Sequence, residues 1–146
     1  MDHHNPYLKP EANLRKPHHL HDQNDVALWN PNAACNWCLL FSPIFGAYLH
    51  MLNWRALGMP EKEKESLIWF WVSIVSAVVA IFTPINTAFI VLIVWYFASA
   101  RSQVKYVREH CGDSYERKPW GVPLLCATGV FVAVVILCVF LELVLN

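Results

Sequence analysis

The stretch "NWCLLFSPIFGAYLHMLNWRALG", residues 36–58, decides how this chain folds. Its middle is apolar enough to enter a lipid bilayer, yet Ser, Pro, Gly and His interrupt the apolar run. Pro43 and Gly46 favour a bend, and the tryptophans near both ends are typical of the membrane–water interface. The pattern predicts a re-entrant or in-plane helical segment over residues 33–57, with a fourth transmembrane span as the alternative.

The charges in the rest of the chain are segregated. Apolar residues make up 56% of the sequence and charged residues 15%, whereas soluble domains have about 45–50% and about 25%. No charged residue lies between Glu65 and Arg101, and only Glu142 follows Lys118. Both uncharged stretches are long enough to cross a membrane. The sequence therefore predicts a small all-α integral membrane protein with a helical hairpin, a third span and the segment described above.

The boundaries of these elements follow from proline and charge positions. Residues 1–32 read as a polar arm because several prolines interrupt it, and residues 33–146 as the membrane domain. The long apolar stretch is broken by "TPIN" at residues 83–86, where Thr can cap a new helix that begins with Pro. The predicted elements are helix A over 62–82, helix B over 84–106, a basic loop over 107–120 and a C-terminal span over 122–145.

The distribution of Lys and Arg predicts the orientation. If the segment 33–57 does not cross the membrane, all 11 of these residues lie on one side. The positive-inside bias favours that arrangement. We therefore expect the N-terminal arm and both basic loops to face the cytoplasm.

Two groups of residues are candidates for binding. The first combines aromatic and polar side chains at the expected depth of the bilayer, where polar groups are costly unless they are paired. Its members, predicted to bind a protein partner, are Asn36, Trp37, Phe45, His50, Asn53, Trp54 and Arg55. The second group is a basic stripe at helical spacing, Arg101, Lys105 and Arg108, which is predicted to contact lipid headgroups.

Metal and enzyme chemistry are not favoured. Cys35 and Cys38 form a C-x-x-C pair downstream of His18 and His21, and these four residue types suit zinc. The spacing is loose, so no metal site is expected and the four residues remain a minor alternative. No nucleophile–base pair or paired carboxylate motif stands out, so we expect neither an enzyme nor a cofactor. The formal net charge of zero gives no indication of nucleic-acid binding.

The same stretch, residues 36–58, resembles a group of small bacterial inner-membrane proteins with the pattern N-W-x-L-L-F-x-P-x-F-G-A-x-L-H-x-x-N-W-x-A-L-G. The segment "ARSQVKYVREHCGDSYERKPW" is similar to the basic, aromatic segment of that group. The resemblance implies a multi-pass protein of the bacterial inner membrane. It does not require the cysteine pair.

Two classes of function remain open from the sequence. Small membrane proteins of this kind include immunity proteins, and by that analogy the chain binds and neutralises a cognate membrane-active toxin. The alternative is a subunit of an oligomeric channel or transporter, whose polar path forms only when copies of the chain associate.

Overall fold

The computed structural model describes residues 26–83 and 87–145, and within these ranges the chain is helical apart from short connections and one isolated β-bridge. The elements are α1 (Pro31–Phe41), α2 (Pro43–Ala56), α3 (Pro60–Phe82), α4 (Thr87–Trp95), a π-helical segment (Tyr96–Ala100), α5 (Arg101–His110) and α6 (Gly121–Leu145). From α4 to α5 the helix is continuous, so Thr87–His110 forms one rod of 24 residues. The predicted all-α class is confirmed.

Three of the helices begin with a proline, where the missing N–H costs nothing. Pro31 starts α1 after Asn30, whose side chain accepts hydrogen bonds from the next two free backbone N–H groups. Pro43 starts α2 directly after Ser42, the single residue that separates α1 from α2 and has a φ of 121°. The bend therefore lies one residue before the predicted Pro43, and Gly46 is inside α2.

Helices α1 and α2 form a hairpin, and each of them is too short to cross a bilayer. α1 has 11 residues and α2 has 14, which correspond to about 16 and 21 Å against a hydrocarbon thickness of about 30 Å. Both arms contact each other along the hairpin. The chain thus runs inward along α1, turns at Ser42 and runs back along α2.

Both ends of this hairpin lie at the same end of the bundle. Leu28, just before α1, and Leu57, just after α2, are buried in one apolar cluster with Val107 and Tyr115. The backbone N–H of Leu28 donates to the carbonyl of Glu116 at 2.9 Å, next to the isolated bridge. A re-entrant path satisfies this arrangement, whereas a fourth span would place the two ends about 30 Å apart.

Three longer helices are apolar enough to span a membrane: Pro60–Phe82, Thr87–His110 and Gly121–Val144. The chain is therefore a multi-pass membrane protein by the length and composition of its helices. α3 packs closely against α2 and α4 through small side chains, since Ser66, Ser73 and Ser76 are buried. The Thr87 hydroxyl donates to the Ser76 carbonyl at 2.9 Å and ties the start of α4 to α3.

The C-terminal helix α6 stands apart from this packing. None of the residues in its apolar 18-residue window is buried, and its main contact is with α1. Next to that contact, the ring of Trp120, which directly precedes α6, lies 6.5 Å from the ring of Trp37 in α1. An apolar helix with so much exposed surface is suited to direct contact with lipid.

Some boundaries differ from those predicted. Residues 26–32 belong to the folded domain rather than to the arm, because Leu28 is buried and hydrogen-bonded. Helix B continues to His110 instead of ending at 106, and α3 and α6 begin slightly earlier than predicted. The extension follows from Val107, which anchors the last turns in the apolar cluster. Residues 1–25 and 84–86, with most of the arm and most of the TPIN break, lie outside the described residues.

Gly46 of α2 lies close to α1 and to Trp95 at the end of α4. A Cβ atom added there would collide with the Cys38 Sγ atom and would lie 2.7 Å from a carbon of the Trp95 ring. Gly46→Ala should therefore lower the free energy of unfolding by about 1–3 kcal/mol, as expected for an overpacked core. Unfolding in mixed detergent micelles would measure the change.

Gly129→Ala provides the matched control, because an added Cβ in α6 meets no atom within 4 Å. It should leave stability unchanged or raise it slightly. Equal effects of the two substitutions would contradict the close packing around Gly46.

The re-entrant path also predicts which residues share one side of the membrane. Cysteines replacing Asn32 and Lys64, both exposed, should react with a charged maleimide from the same side. A cysteine replacing Val144 should react from the opposite side, since α6 carries it about 35 Å away.

The wild-type chain is the background control for this labelling. Cys35, Cys38 and Cys111 are buried, and Cys126 and Cys138 lie on the apolar helix α6. Burial also raises the pKa of Cys111, which keeps its thiol in the unreactive protonated form. Labelling of positions 32 and 64 from opposite sides would exclude the re-entrant path.

Candidate functional site

Hydrogen-bonded amide side chains lie in the interior, where α2 meets α5. The Asn53 Nδ2 atom donates to the Trp29 carbonyl at 2.8 Å and to Gln103 Oε1 at 3.2 Å, and Asn53 Oδ1 accepts from the Trp29 N–H at 3.0 Å. Gln103 Nε2 donates to the His50 carbonyl at 2.8 Å. Both amides are completely buried. This set of contacts is called the amide network below.

A thiol and an imidazole lie next to the amide network. Cys35 Sγ is 3.6 Å from His50 Nε2, and the His50 ring meets the Trp95 ring edge-on with centroids 5.2 Å apart. The Cys38 thiol donates to the Ala34 carbonyl one turn earlier in α1. All of these side chains are buried, so neither thiol is open to a substrate in this conformation. The arrangement can fix the position of α1 against α2.

The outer surface of the hairpin carries a row of aromatic rings. Trp120, Trp37, Phe41 and Phe45 follow one another with centroid distances of 6.5, 5.9 and 5.5 Å. These four residues are called the aromatic row. Beside it Asn36 is exposed, together with Leu39 and Leu40, which are 75% and 64% exposed. Around Leu39 and Leu40 the outer face of α1 is therefore an apolar surface that includes the amide of Asn36.

The predicted partner-binding residues separate into two groups. Asn36 is exposed on the outer surface, and Trp37 and Phe45 are half-buried there. His50, Asn53 and Trp54 are buried and do not reach the surface in this conformation, so they can only support a binding surface from behind, and their role in binding stays a prediction. The physical reason is helical spacing, because residues at i, i+3 and i+4 share one face of a helix, and on α2 that face packs against the rod formed by α4 and α5.

Arg55 lies on the exposed rim and is paired within the chain. Its guanidinium is 2.7 Å from the Glu63 carboxylate at the start of α3. An exposed pair of this kind contributes little to stability. It joins the ends of α2 and α3 across the turn at Gly58, whose φ of 68° is readily adopted by glycine.

The predicted basic stripe does not form one site. The Arg101 guanidinium lies over the Phe97 ring at 5.4 Å from the centroid, and Lys105 Nζ is 3.8 Å from the Glu109 carboxylate. Arg108 alone among the three lines a cavity of about 450 Å³, which is open to the surroundings.

The minor metal alternative can be examined only in part. His18 and His21 lie outside the described residues. Within residues 26–83 and 87–145 no group of three or more His, Cys, Asp or Glu side chains is placed to hold a metal ion. Cys35 and Cys38 instead contact His50 and the Ala34 carbonyl, as described above.

Sequence reasoning did not identify Gln103 or the backbone of Trp29 as parts of the site. Gln103 is 50 residues from Asn53 in the chain, and it sits among charged residues that suggest a solvated helix end. The one feature of the sequence that could have indicated its burial is that Gln103 is uncharged although it lies between Arg101 and Lys105. Comparisons with protein-family models, curated proteins and solved structures found no match to this chain.

The two asparagines of the hairpin provide a direct test of the amide network. Asn53→Ala removes the partners of the Trp29 backbone and of Gln103, and buried polar groups without partners are costly. We expect it to lower the free energy of unfolding by roughly 2–4 kcal/mol. Detergent unfolding followed by tryptophan fluorescence would measure this loss.

Asn36→Ala is the matched control, since its side chain is exposed and has no hydrogen bond to the described residues. It should change stability by less than about 0.5 kcal/mol. A similar loss in both variants would mean that Asn53 does not hold the fold together.

Proposed function

We propose that this chain is a non-enzymatic binding protein of the bacterial inner membrane, and that its outer α1 face recognises a cognate membrane-active toxin and neutralises it. The observation that carries the proposal is the exposed amide of Asn36 within an apolar surface. An amide in hydrocarbon without a hydrogen-bond partner is costly. A partner that supplies the missing hydrogen bond would gain affinity there.

The depth of Asn36 supports this reading. It lies five residues into α1 from Pro31, or about 8 Å along the helix axis. We take α1 as perpendicular to the membrane, with Pro31 at the boundary of a hydrocarbon layer about 30 Å thick. Asn36 then lies inside this layer, about 7 Å from its midplane. Leu39 and Leu40 next to it are strongly exposed, so the surroundings of the amide are apolar.

The aromatic row supports binding through its rigidity. Tryptophan side chains often dominate the binding energy of interfaces, and rigid surfaces lose less entropy on association. α1 is held from behind by the contact of Cys35 with His50 and by the burial of Cys38 in one apolar cluster with Ala47 and Trp95, and the chain is fixed just before α1 by Leu28. The row is therefore held in one arrangement before any partner arrives.

The orientation belongs to the same proposal. With the re-entrant path, the positive-inside bias places the N-terminal arm and both basic loops in the cytoplasm. The hairpin then enters the bilayer from the cytoplasmic side and presents its outer face at membrane depth. A toxin that inserts into the inner membrane could be contacted there before it assembles.

A subunit of an oligomeric channel or transporter is the second candidate. The observation that favours it is α6, whose apolar window has no buried residue and which is free to pack against other copies. Crosslinking in native membranes separates the two candidates. Discrete oligomers with ion conductance in planar bilayers would favour the channel, and a one-to-one complex with another protein would favour the binding protein.

The proposed surface can be tested by co-expressing the chain with candidate membrane-active toxins from the same genome, starting with any whose gene is found near its own. Asn36→Ala and Leu40→Ala should each reduce protection at least about tenfold, which corresponds to about 1.4 kcal/mol of binding energy. Colony counts after toxin induction would measure protection, and immunoblots of membrane fractions would confirm normal amounts.

Trp71→Ala is the control, because Trp71 is 57% exposed on α3, away from the aromatic row. It should protect as well as the wild type does. Full protection by the inserted Asn36 and Leu40 variants would refute the α1 surface, and no protection by the wild-type chain would refute the proposed toxin.

A further inference from the structure

A cavity of about 450 Å³ lies at the end of the bundle where the loops meet. Its walls come from three parts of the chain that are far apart in sequence. Asn30 and Pro31 contribute the start of α1, Arg108 comes from α5, and Gly112 and Tyr115 belong to the connection between α5 and α6. The cavity is separate from the aromatic row, which occupies the outer face of the hairpin.

The cavity lies at the depth of lipid headgroups. Val104 and Arg108 line it, and they follow Thr87 by about 26 and 32 Å along the continuous helix. With its far boundary taken at Thr87, the start of the apolar rod, a hydrocarbon layer of about 30 Å ends near this level. Tryptophans typical of the interface are found there too, since the Trp29 indole N–H donates to the Pro119 carbonyl at 3.2 Å.

Arg108 brings an unpaired positive charge to the cavity. Other basic side chains at this end of the bundle are engaged: Arg55 with Glu63, Lys62 with Glu65, Lys105 with Glu109 and Arg117 with Asp113. Arg108 has no ion pair or hydrogen bond within residues 26–83 and 87–145. Its planar guanidinium can bind two phosphate oxygens at once.

Tyr115 is a second group that indicates a ligand. Its side chain is only 7% exposed, it lines the cavity, and its hydroxyl has no hydrogen bond to the described residues. Burial raises the pKa of Tyr115, although the nearby Arg117 acts in the opposite direction. The phenol therefore stays protonated at neutral pH and remains a hydrogen-bond donor.

Asp113, an acidic residue in the cavity wall, does not prevent the cavity from binding an anion. Asp113 lines the cavity, but its carboxylate is fully exposed and lies 3.9 Å from the Arg117 guanidinium. Gly112 beside it leaves open space, since an added Cβ would meet no atom within 4 Å. A compact anionic group with an attached chain fits such an opening.

We propose that this cavity binds the phosphate of a phospholipid headgroup, held by the Arg108 guanidinium and the Tyr115 hydroxyl. The acyl chains then extend along the apolar surface toward the hydrocarbon layer. This site is independent of the proposed toxin-binding surface, so either can fail without the other.

The test uses the full-length protein reconstituted in nanodiscs of phosphatidylethanolamine and phosphatidylglycerol and released for native mass spectrometry. The wild type should retain one phospholipid per chain. Arg108→Gln should reduce the retained fraction about tenfold, because a charge-assisted hydrogen bond is lost. Tyr115→Phe keeps the packed ring and should cause a smaller but clear loss.

Arg101→Gln is the matched control, since that guanidinium lies over Phe97 outside the cavity. It should retain lipid as the wild type does. Equal losses in Arg101→Gln and Arg108→Gln, or no retained lipid in the wild type, would overturn the proposal.

A second arm separates a lipid from free phosphate. Purified protein in dodecyl maltoside, a detergent without phosphate, is heated with added phosphatidylglycerol or with inorganic phosphate. A rise in Tm with the lipid alone, absent in Arg108→Gln, supports the headgroup site. An equal rise with inorganic phosphate would overturn the assignment to a lipid.

Discussion

The hydrogen bonds of Asn53 are the interaction on which the rest of this structure depends. One side chain holds the backbone of Trp29 before α1 and the Gln103 side chain of α5 while it sits within α2. In apolar surroundings such groups lose their alternative partners in water, so leaving them unpaired is costly. The amide network therefore fixes where the chain enters the hairpin and where α2 lies against α5.

This constraint divides the hairpin into two faces with different roles. The face of α2 that bears His50, Asn53 and Trp54 is turned inward and is occupied by contacts within the chain. On the outer face of α1, Asn36 is exposed, and beside it the rings of the aromatic row contact one another. The surface proposed to recognise a partner therefore lies on α1, and α2 packs behind it.

The three long helices place these features relative to a membrane. α3 packs against the hairpin and against the rod from Thr87 to His110. The apolar surface of α6 remains exposed and is suited to contact with lipid. The last turns of the rod are anchored by Val107 in the apolar cluster. The cavity lined by Arg108 and Tyr115 forms there because the start of α1 and the loop after α5 meet at these turns.

The sequence by itself determined the helical class, the three spans and the interrupted segment over residues 33–57. These features depend on local properties, namely the length of uncharged stretches and the positions of proline, which can be read within about twenty residues. It could not determine which polar side chains are buried, because Asn53 and Gln103 are 50 residues apart and pair only through packing. The tertiary structure also decided that the helix reaches His110 and that Gly46 serves close packing rather than a bend, since both depend on neighbours from distant parts of the chain.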